Sequence, residues 1–289
     1  MSGSRRLEHV RSLLILALAA STGGCSLVFP VPDANEPPDA STTGHGGADA
    51  GAAVLTCAQT GQGPELVPAG ARLCIDATPV TRDQYAKFVA ANLPLDDQMV
   101  GCQGNTSWVQ MGLLDAGSSP VDGVDWCDAW SYCAWAGKTL CGSFPGVTLP
   151  EGGYDDAGNF SHGLSAAGLS VDDRDASATA WACEGGDAGL TYPYGNDDDP
   201  SQCFSMGFFS GHAPPGPVMS KGCEGGFPGI YDMVGIYQWI DDCTGEVCSV
   251  VGGSECRGAM GFSPLLEYYT AVDYGFVGFR CCGVAPPTR

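Results

Sequence analysis

The chain has 289 residues, 43 of them Gly and 20 Pro, and carries 33 acidic against 12 basic residues for a net charge of −21. That length supports one sizeable core with a tail, and the Gly and Pro content predicts a loop-rich domain with little regular secondary structure. The acidity disfavours nucleic acid and anionic lipid headgroups as partners, because each needs basic counter-charges. Solubility is the ordinary reading of such a surface, and calcium or a cationic partner is the sharper one.

At the start, Arg5, Arg6 and Arg11 precede the apolar run Leu13 to Ala20 and the small residues Ser21 to Gly24, the three regions of a secretory signal. About eight apolar residues are too few to span a bilayer, which needs about 20. Cys25 directly after the small residues resembles a bacterial lipoprotein signal, in which this cysteine is lipidated and becomes the new N-terminus. Thr22 stands where that family usually has Leu, which leaves a plain secreted protein as the alternative. Cleavage before Cys25 removes Arg5, Arg6, Arg11 and Glu8 and leaves 9 basic against 32 acidic residues. Residues 1–24 are thus read as a signal peptide, 25–56 as a tether and 57–289 as the domain. The tether is Pro, Ala, Gly, Ser, Thr and Asp with too few apolar residues to offset the entropy of ordering. A flexible chain of its length holds the domain roughly 30 Å from its anchor.

Setting Cys25 aside, fourteen cysteines remain: Cys57, Cys74, Cys102, Cys127, Cys133, Cys141, Cys183, Cys203, Cys223, Cys243, Cys248, Cys256, Cys281 and Cys282. An even set of this density reads as up to seven disulfides formed in an oxidising, extracytoplasmic compartment. None of the pairs has the Cys-x-x-Cys spacing usual for zinc or iron–sulfur sites, so no metal site is assigned. Spacing leaves the connectivity open, except that adjacent Cys281 and Cys282 are expected to take different partners.

Within the domain, Pro68 to Asp76 reads as a short strand entering from a turn. Thr81 with Gln84 forms a capping box for a helix whose apolar stripe is Tyr85, Phe88 and Val89, ended by Asn92 and Pro94. The stretch Pro120 to Cys141 is the centre of the chain: Asp125 caps a helix, Gly137 stops it, and Trp126, Trp130, Tyr132, Cys133 and Trp135 cover most of its surface with apolar area. From Gly142 to Ala176 no periodicity is evident, and the segment reads as a surface excursion in which His162 is solvated. His212, beside Pro214 and Pro215, is read the same way. Ser177 caps a short helix through Glu184, and Tyr192 to Cys203 is an acidic loop lacking the spacing of an EF-hand.

Several segments together resemble the sulfatase-modifying-factor family, the formylglycine-generating enzymes and their relatives. They are Cys74-Ile-Asp-Ala-Thr-Pro-Val-Thr-Arg-Asp-Gln-Tyr, Pro120 to Leu140, Ala180-Trp-Ala-Cys-Glu-Gly-Gly, Tyr192-Pro-Tyr-Gly, Gly229-Ile-Tyr-Asp-Met-Val-Gly, Gly252-Gly-Ser and Val277-Gly-Phe-Arg-Cys. The resemblance implies a single α+β domain of the formylglycine-generating-enzyme fold, related to the C-type-lectin-like fold and stapled here by disulfides. It also implies an oxidase that converts a client cysteine to formylglycine with two copper-binding thiols. In the family those thiols follow an Arg-Gly-Gly-Ser-Trp segment, about three residues after the Ser and five further on. Here Arg257 and Phe262 fall at those places, Cys256 is one position early, Val251 replaces the Arg and Glu255 the Trp. The calcium segments depart as well: Phe204 follows Cys203 where Asn is usual, and Gln238 replaces a carboxylate.

The leading reading is therefore an exported, lipid-anchored module of the bacterial cell envelope that keeps the fold, needs no cofactor and binds a protein, peptide or glycan, with membrane contact only through the lipid on Cys25. The alternative is a copper-dependent formylglycine-generating oxidase acting on a sulfatase or other client, in which Cys256 and either Cys281 or Cys282 form a displaced thiol pair. Soft thiolates suit Cu(I), and only a pair kept out of structural disulfides supplies them. No Ser/His/Asp triad is recognised, and with His162 and His212 the domain's two histidines outside the tether, nucleophilic catalysis has little material. Phe262, Tyr268, Tyr269, Tyr274 and Phe276 either line a ligand cleft or belong to the core.

Overall fold

The computed structural model describes residues 55–108, 117–144, 147, 149, 152–154, 160–199, 201–203, 216–245, 247–262 and 277–283. The chain enters on a hairpin, β1 (Leu66–Ala69) and β2 (Leu73–Asp76), followed by helix α1 (Arg82–Ala90). Thr81 caps α1 as the sequence predicts: its side chain accepts from the Gln84 amide while the Gln84 side chain accepts from the Thr81 amide. Asn92, at φ 49°, lies in the left-handed region just past the helix end.

Helix α2 (Trp126–Trp135) is the central element. Asp125 caps it by accepting from the Asp128 amide at 2.7 Å, and Gly137 takes φ 70°, a left-handed stop that a side chain would strain. Strand β3 (Thr139–Leu140) follows, then β4 (Gly153–Tyr154), β5 (Phe160–Gly163) and the short helix α3 (Ala178–Glu184), capped by Ser177. The remaining strands are β6 (Glu224–Gly225), β7 (Phe227–Tyr231), β8 (Tyr237–Thr244), β9 (Val247–Gly252), β10 (Ala259–Phe262), β11 (Val277–Phe279) and β12 (Cys281–Gly283).

Two larger sheets organise ten of these strands, and β6 and β7 pair with each other in a third, two-stranded sheet. The first runs β1-β2-β12-β3; the second runs β10-β9-β8-β5-β4, with β11 added in parallel to β8. Only Arg280 separates β11 from β12, so the chain passes from one sheet to the other at that residue. One part of the core packs α1 and α2 against Trp239, Phe279 and Val250, and another gathers Leu73, Ile75, Trp181, Ile230 and Met233 around α3. Trp126 and Trp239 fasten α2 to β8 reciprocally: the Trp126 indole donates to the Ile240 carbonyl at 2.7 Å, and the Trp239 indole to the Val124 carbonyl at 2.8 Å. Buried indole N–H groups need such acceptors, and each uses the other's neighbourhood.

The segment from Gly142 to Ala176 is not wholly a surface excursion. Strand β5 pairs with β8 through Ser161–Thr244, His162–Cys243 and Gly163–Asp242, and Leu164 is fully buried. Alternation failed as a signal because Phe160-Ser-His-Gly offers one apolar side chain in four.

Seven disulfides staple the described residues: Cys57–Cys74, Cys102–Cys127, Cys133–Cys281, Cys141–Cys282, Cys183–Cys256, Cys203–Cys223 and Cys243–Cys248. Cys281 reaches α2 and Cys282 reaches the residue after β3, so consecutive side chains on opposite faces of β12 hold its two surroundings at once. A framework of this density belongs to an oxidising environment.

Candidate functional site

The segment from β9 to β10 is where the family resemblance places two thiols, and its turn is built tightly. Gly252 and Gly253 have φ of 100° and 92°, and a Cβ on Gly253 would press into the Tyr237 ring. The Gly252 amide donates to the Gly258 carbonyl at 2.9 Å, and the Cys256 amide to the Thr191 carbonyl at 3.0 Å. Two consecutive residues then lock this turn to the end of α3. Cys256 is bonded to Cys183, and Arg257 lies across Glu184, donating from Nε and Nη2 to its two carboxylate oxygens at 3.0 Å each. Glu184 is fully buried whereas the Arg257 side chain is 59% exposed, and Arg174 stands 3.9 Å from the same carboxylate. The Glu184 carboxylate pushes the Arg257 guanidinium to a still higher pKa, first through its hydrogen bonds and then through its charge.

This geometry does not fit a copper centre. Position 257 presents a guanidinium, position 262 is a phenylalanine at the end of β10, and neighbouring Cys256 is tied up as a disulfide. The displaced pair envisaged from the sequence is likewise not assembled: Cys281 is held by Cys133 and Cys282 by Cys141, so none of the three offers a thiolate. Among the described residues, no group of three or more His, Cys, Asp or Glu is arranged to hold a metal ion. His212, Tyr268, Tyr269, Tyr274 and Phe276 lie outside the described residues, as does Cys25.

A second polar cluster occupies the passage between the sheets. Arg280 is buried and spends its guanidinium on backbone and amide acceptors: Nη1 on the Asp76 carbonyl at 2.5 Å, Nη2 on the Tyr231 and Asp232 carbonyls at 2.6 and 3.3 Å, and Nε on Gln238 Oε1 at 3.0 Å. Burial lowers its pKa to about 10, against the pull of Asp76 and Asp232. Gln238 thus serves here as an uncharged acceptor for the arginine, its amide nitrogen turned to the Asp232 and Met233 carbonyls at 3.5 and 3.3 Å. Beside it the Asp76 carboxylate takes Lys138 Nζ at 2.5 Å and the Cys281 amide at 2.9 Å, and Lys138 also donates to the Pro64 carbonyl at 2.7 Å. The sequence reading passed over this cluster. Its only advance signal is a lone basic residue inside an apolar strand run, Val277-Gly-Phe-Arg-Cys-Cys, a position where charge is tolerated only when fully bonded.

The third feature is His162, which the sequence reading left in solvent. Its side chain is 12% exposed, lies 5.9 Å from the Trp126 ring and brings Nδ1 to 2.5 Å from Asp241 Oδ1. On the surface, Tyr192 and Tyr194 stack with centroids 5.3 Å apart and planes at 8°.

A family model for the sulfatase-modifying factor enzyme 1-like domain matches residues 28–282. The chain belongs to this family. A curated relative of the sulfatase-modifying-factor chain is the serine/threonine-protein kinase Pkn1 of Chlamydia trachomatis serovar L2, 26% identical over 182 residues. That match covers 58% of this chain but only 22% of the kinase's length. Solved structures similar to it include PvdO from Pseudomonas aeruginosa (19% identity, 73% of this chain and 79% of that one, TM-score 0.42) and CarF (18%, 73% and 85%, 0.43). Treponema denticola variable protein 1 is a third, at 16% identity, 81% and 93% coverage and a TM-score of 0.42.

Proposed function

We propose that this family member is an exported, lipid-anchored module of the cell envelope that binds a protein, peptide or glycan and has given up formylglycine chemistry. The observation that supports this reading is the Arg257–Glu184 clamp beside the Cys183–Cys256 disulfide, which occupies the ground where the resemblance expects a reactive thiol. A copper-bound thiolate needs a soft, deprotonated sulfur free of other bonds. An ion pair and a disulfide supply neither. The lipid on Cys25 and the tether that follows would present the domain at a membrane surface without a membrane-crossing helix.

The test uses the full-length, natively exported protein. A free-thiol count under denaturing, non-reducing conditions, Cu(I) titration against a competing chelator, and oxidation of a cysteine-containing peptide are measured on one preparation. The proposal expects no free thiol beyond an unlipidated Cys25, no stoichiometric Cu(I) binding and no peptide oxidation. Free Cys256 protected by copper would reinstate the oxidase. Mass spectrometry of the N-terminal peptide, with Cys25→Ala as the comparison, decides the anchor: the lipid mass is expected in the parent and absent in the variant.

A further inference from the structure

The stacked pair Tyr192 and Tyr194 belongs neither to the clamp nor to the Arg280 cluster, and its loop is held from two sides. The Tyr192 amide donates to the Gly195 carbonyl at 2.8 Å and the Gly195 amide to the Tyr192 carbonyl at 3.0 Å, which sets Pro193 and Tyr194 in a tight turn. The Gly226 amide, between β6 and β7, donates to the Pro193 carbonyl at 2.7 Å, and the Cys256 amide ties Thr191 to the turn between β9 and β10. Pro193 is buried, and a Cβ on Gly225 would strike its carbonyl, so the loop is fitted closely to its support. Tyr194 packs against the part of the core that surrounds α3. Tyr192 is partly exposed and lies on Tyr194, so the stack has one ring toward the core and one toward solvent.

The charges around the outer ring are of one sign. Asp198 comes from the loop itself and Glu255 from the β9–β10 turn, one residue before the amide that holds Thr191. Both are exposed, and after partial desolvation their charges raise the Tyr192 pKa further. Among the described residues neither carboxylate has a hydrogen bond or ion pair of its own. Asp199, by contrast, is spent on Ser201 and Gln202, and Arg257 of the same turn is spent on Glu184. The ring–cation contacts among the described residues are those of Arg72 with Phe144 and Trp181, and none covers Tyr192. An open aromatic face beside two uncommitted carboxylates attracts a cation twice, through the ring quadrupole and through charge. A second copy of this chain, at a net charge of −21, is repelled, and a neutral glycan leaves both carboxylates uncompensated.

We propose, resting on the binding-module reading above, that Tyr192 with Asp198 and Glu255 forms a docking site for an arginine on a basic segment of a partner protein. A guanidinium is planar, stacks on an aromatic face and presents several N–H donors at its edge, which matches a ring flanked by carboxylates. The loop is already assembled, so docking orders little of this chain. The site is open to water, so its affinity is modest and falls as salt screens the two carboxylates.

The natively exported protein is titrated calorimetrically, at low and at raised salt, with a capped Gly-Arg-Gly-Arg-Gly peptide. The same peptide with citrulline in place of arginine keeps the shape and removes the charge. Salt-sensitive binding of the arginine peptide alone is expected. Tyr192→Ala should weaken it about fivefold, while Tyr192→Phe, which keeps the ring, should bind as the parent does. Asp198→Asn with Glu255→Gln leaves the stack intact and should also cost about fivefold. Asp83→Asn on α1 with Asp96→Asn just beyond it makes the same change of charge elsewhere and should cost nothing. Absence of binding, equal binding of the citrulline peptide, or an equal loss in the Asp83 and Asp96 variant overturns the docking site. Binding of an N-acetylglucosamine oligosaccharide that Tyr192→Ala abolishes, with no binding of the arginine peptide, gives the face to a glycan and overturns it too. Oxidation of a cysteine-containing peptide by the same preparation overturns the module reading instead, so the two failures are told apart.

Discussion

Arg257 covers a carboxylate that water never reaches: the two charge-assisted bonds to Glu184 are made by a side chain that is itself more exposed than buried. The arrangement is asymmetric. Arg257 loses little by leaving, whereas Glu184 cannot follow it into solvent. Arg257→Ala is therefore expected to destabilise by about 2 kcal/mol, less than the 3–5 kcal/mol typical of breaking a fully buried pair because one partner is open to water. Chemical denaturation gives the number, and Arg257→Ala combined with Glu184→Gln should recover part of the loss.

Asp76 sets a pH dependence whose direction follows from its surroundings. Burial pushes its carboxyl from 3.8 up to about 6, and Lys138, the Cys281 amide and Arg280 only partly oppose that shift. The native state therefore takes up this proton at a higher pH than the unfolded chain does. The group's contribution is fullest below about pH 4 and is lost as pH rises toward 6. Denaturation of the parent and of Asp76→Asn at pH 4, 5, 6 and 7 should show the parent losing stability relative to the variant through that window.

Arg280→Lys keeps the charge and removes the fork. Four acceptors from three segments now converge on one guanidinium, and an ammonium on a flexible stem reaches only some of them. Leaving one or two buried carbonyls without donors costs about 3 kcal/mol. The expected readout is a lowered denaturation midpoint together with faster hydrogen exchange in both β11 and β12, since Arg280 joins them.

The disulfides should not be equivalent. Cys133–Cys281 spans a sequence separation of 148, against 20 for Cys203–Cys223, but Cys141–Cys282 closes almost the same loop, so replacing Cys133 and Cys281 by Ser releases only the short circuit through residues 133–141. Chain entropy therefore makes the first pair's removal the cheaper of the two, by about 0.6 kcal/mol. Comparing the two double variants by denaturation tests the ranking.

What could be read from the sequence was local. Thr81 with Gln84, Asp125, Gly137 and Ser177 each act on amides or dihedrals within a few residues, so helix positions followed from the chain without any knowledge of its packing. The family fold was also legible, because its segments recur in order across the domain. Strand β5 was not: Phe160-Ser-His-Gly has no alternation, and its pairing with β8 and β4 makes it a strand. Nor were Arg280, Lys138 and Asp76, whose partners stand 62 and about 200 residues away. His162 was misjudged for the same reason, since the residue that removes it from solvent, Asp241, is supplied by a distant strand through an irregular register.

The pairing of Cys281 and Cys282 has a consequence for the order of events in the chain's life. Synthesis delivers the N-terminal side first. Cys133 and Cys141 therefore emerge well over a hundred residues before the sulfurs they must join, and in that interval Cys102, Cys127, Cys183 and others are available as wrong partners. The first sheet also waits, because β12 is the strand that bridges β2 and β3. Maturation of this protein should depend on a disulfide isomerase rather than on an oxidant alone, and a chain cut short before Cys281 should accumulate as scrambled, protease-sensitive isomers.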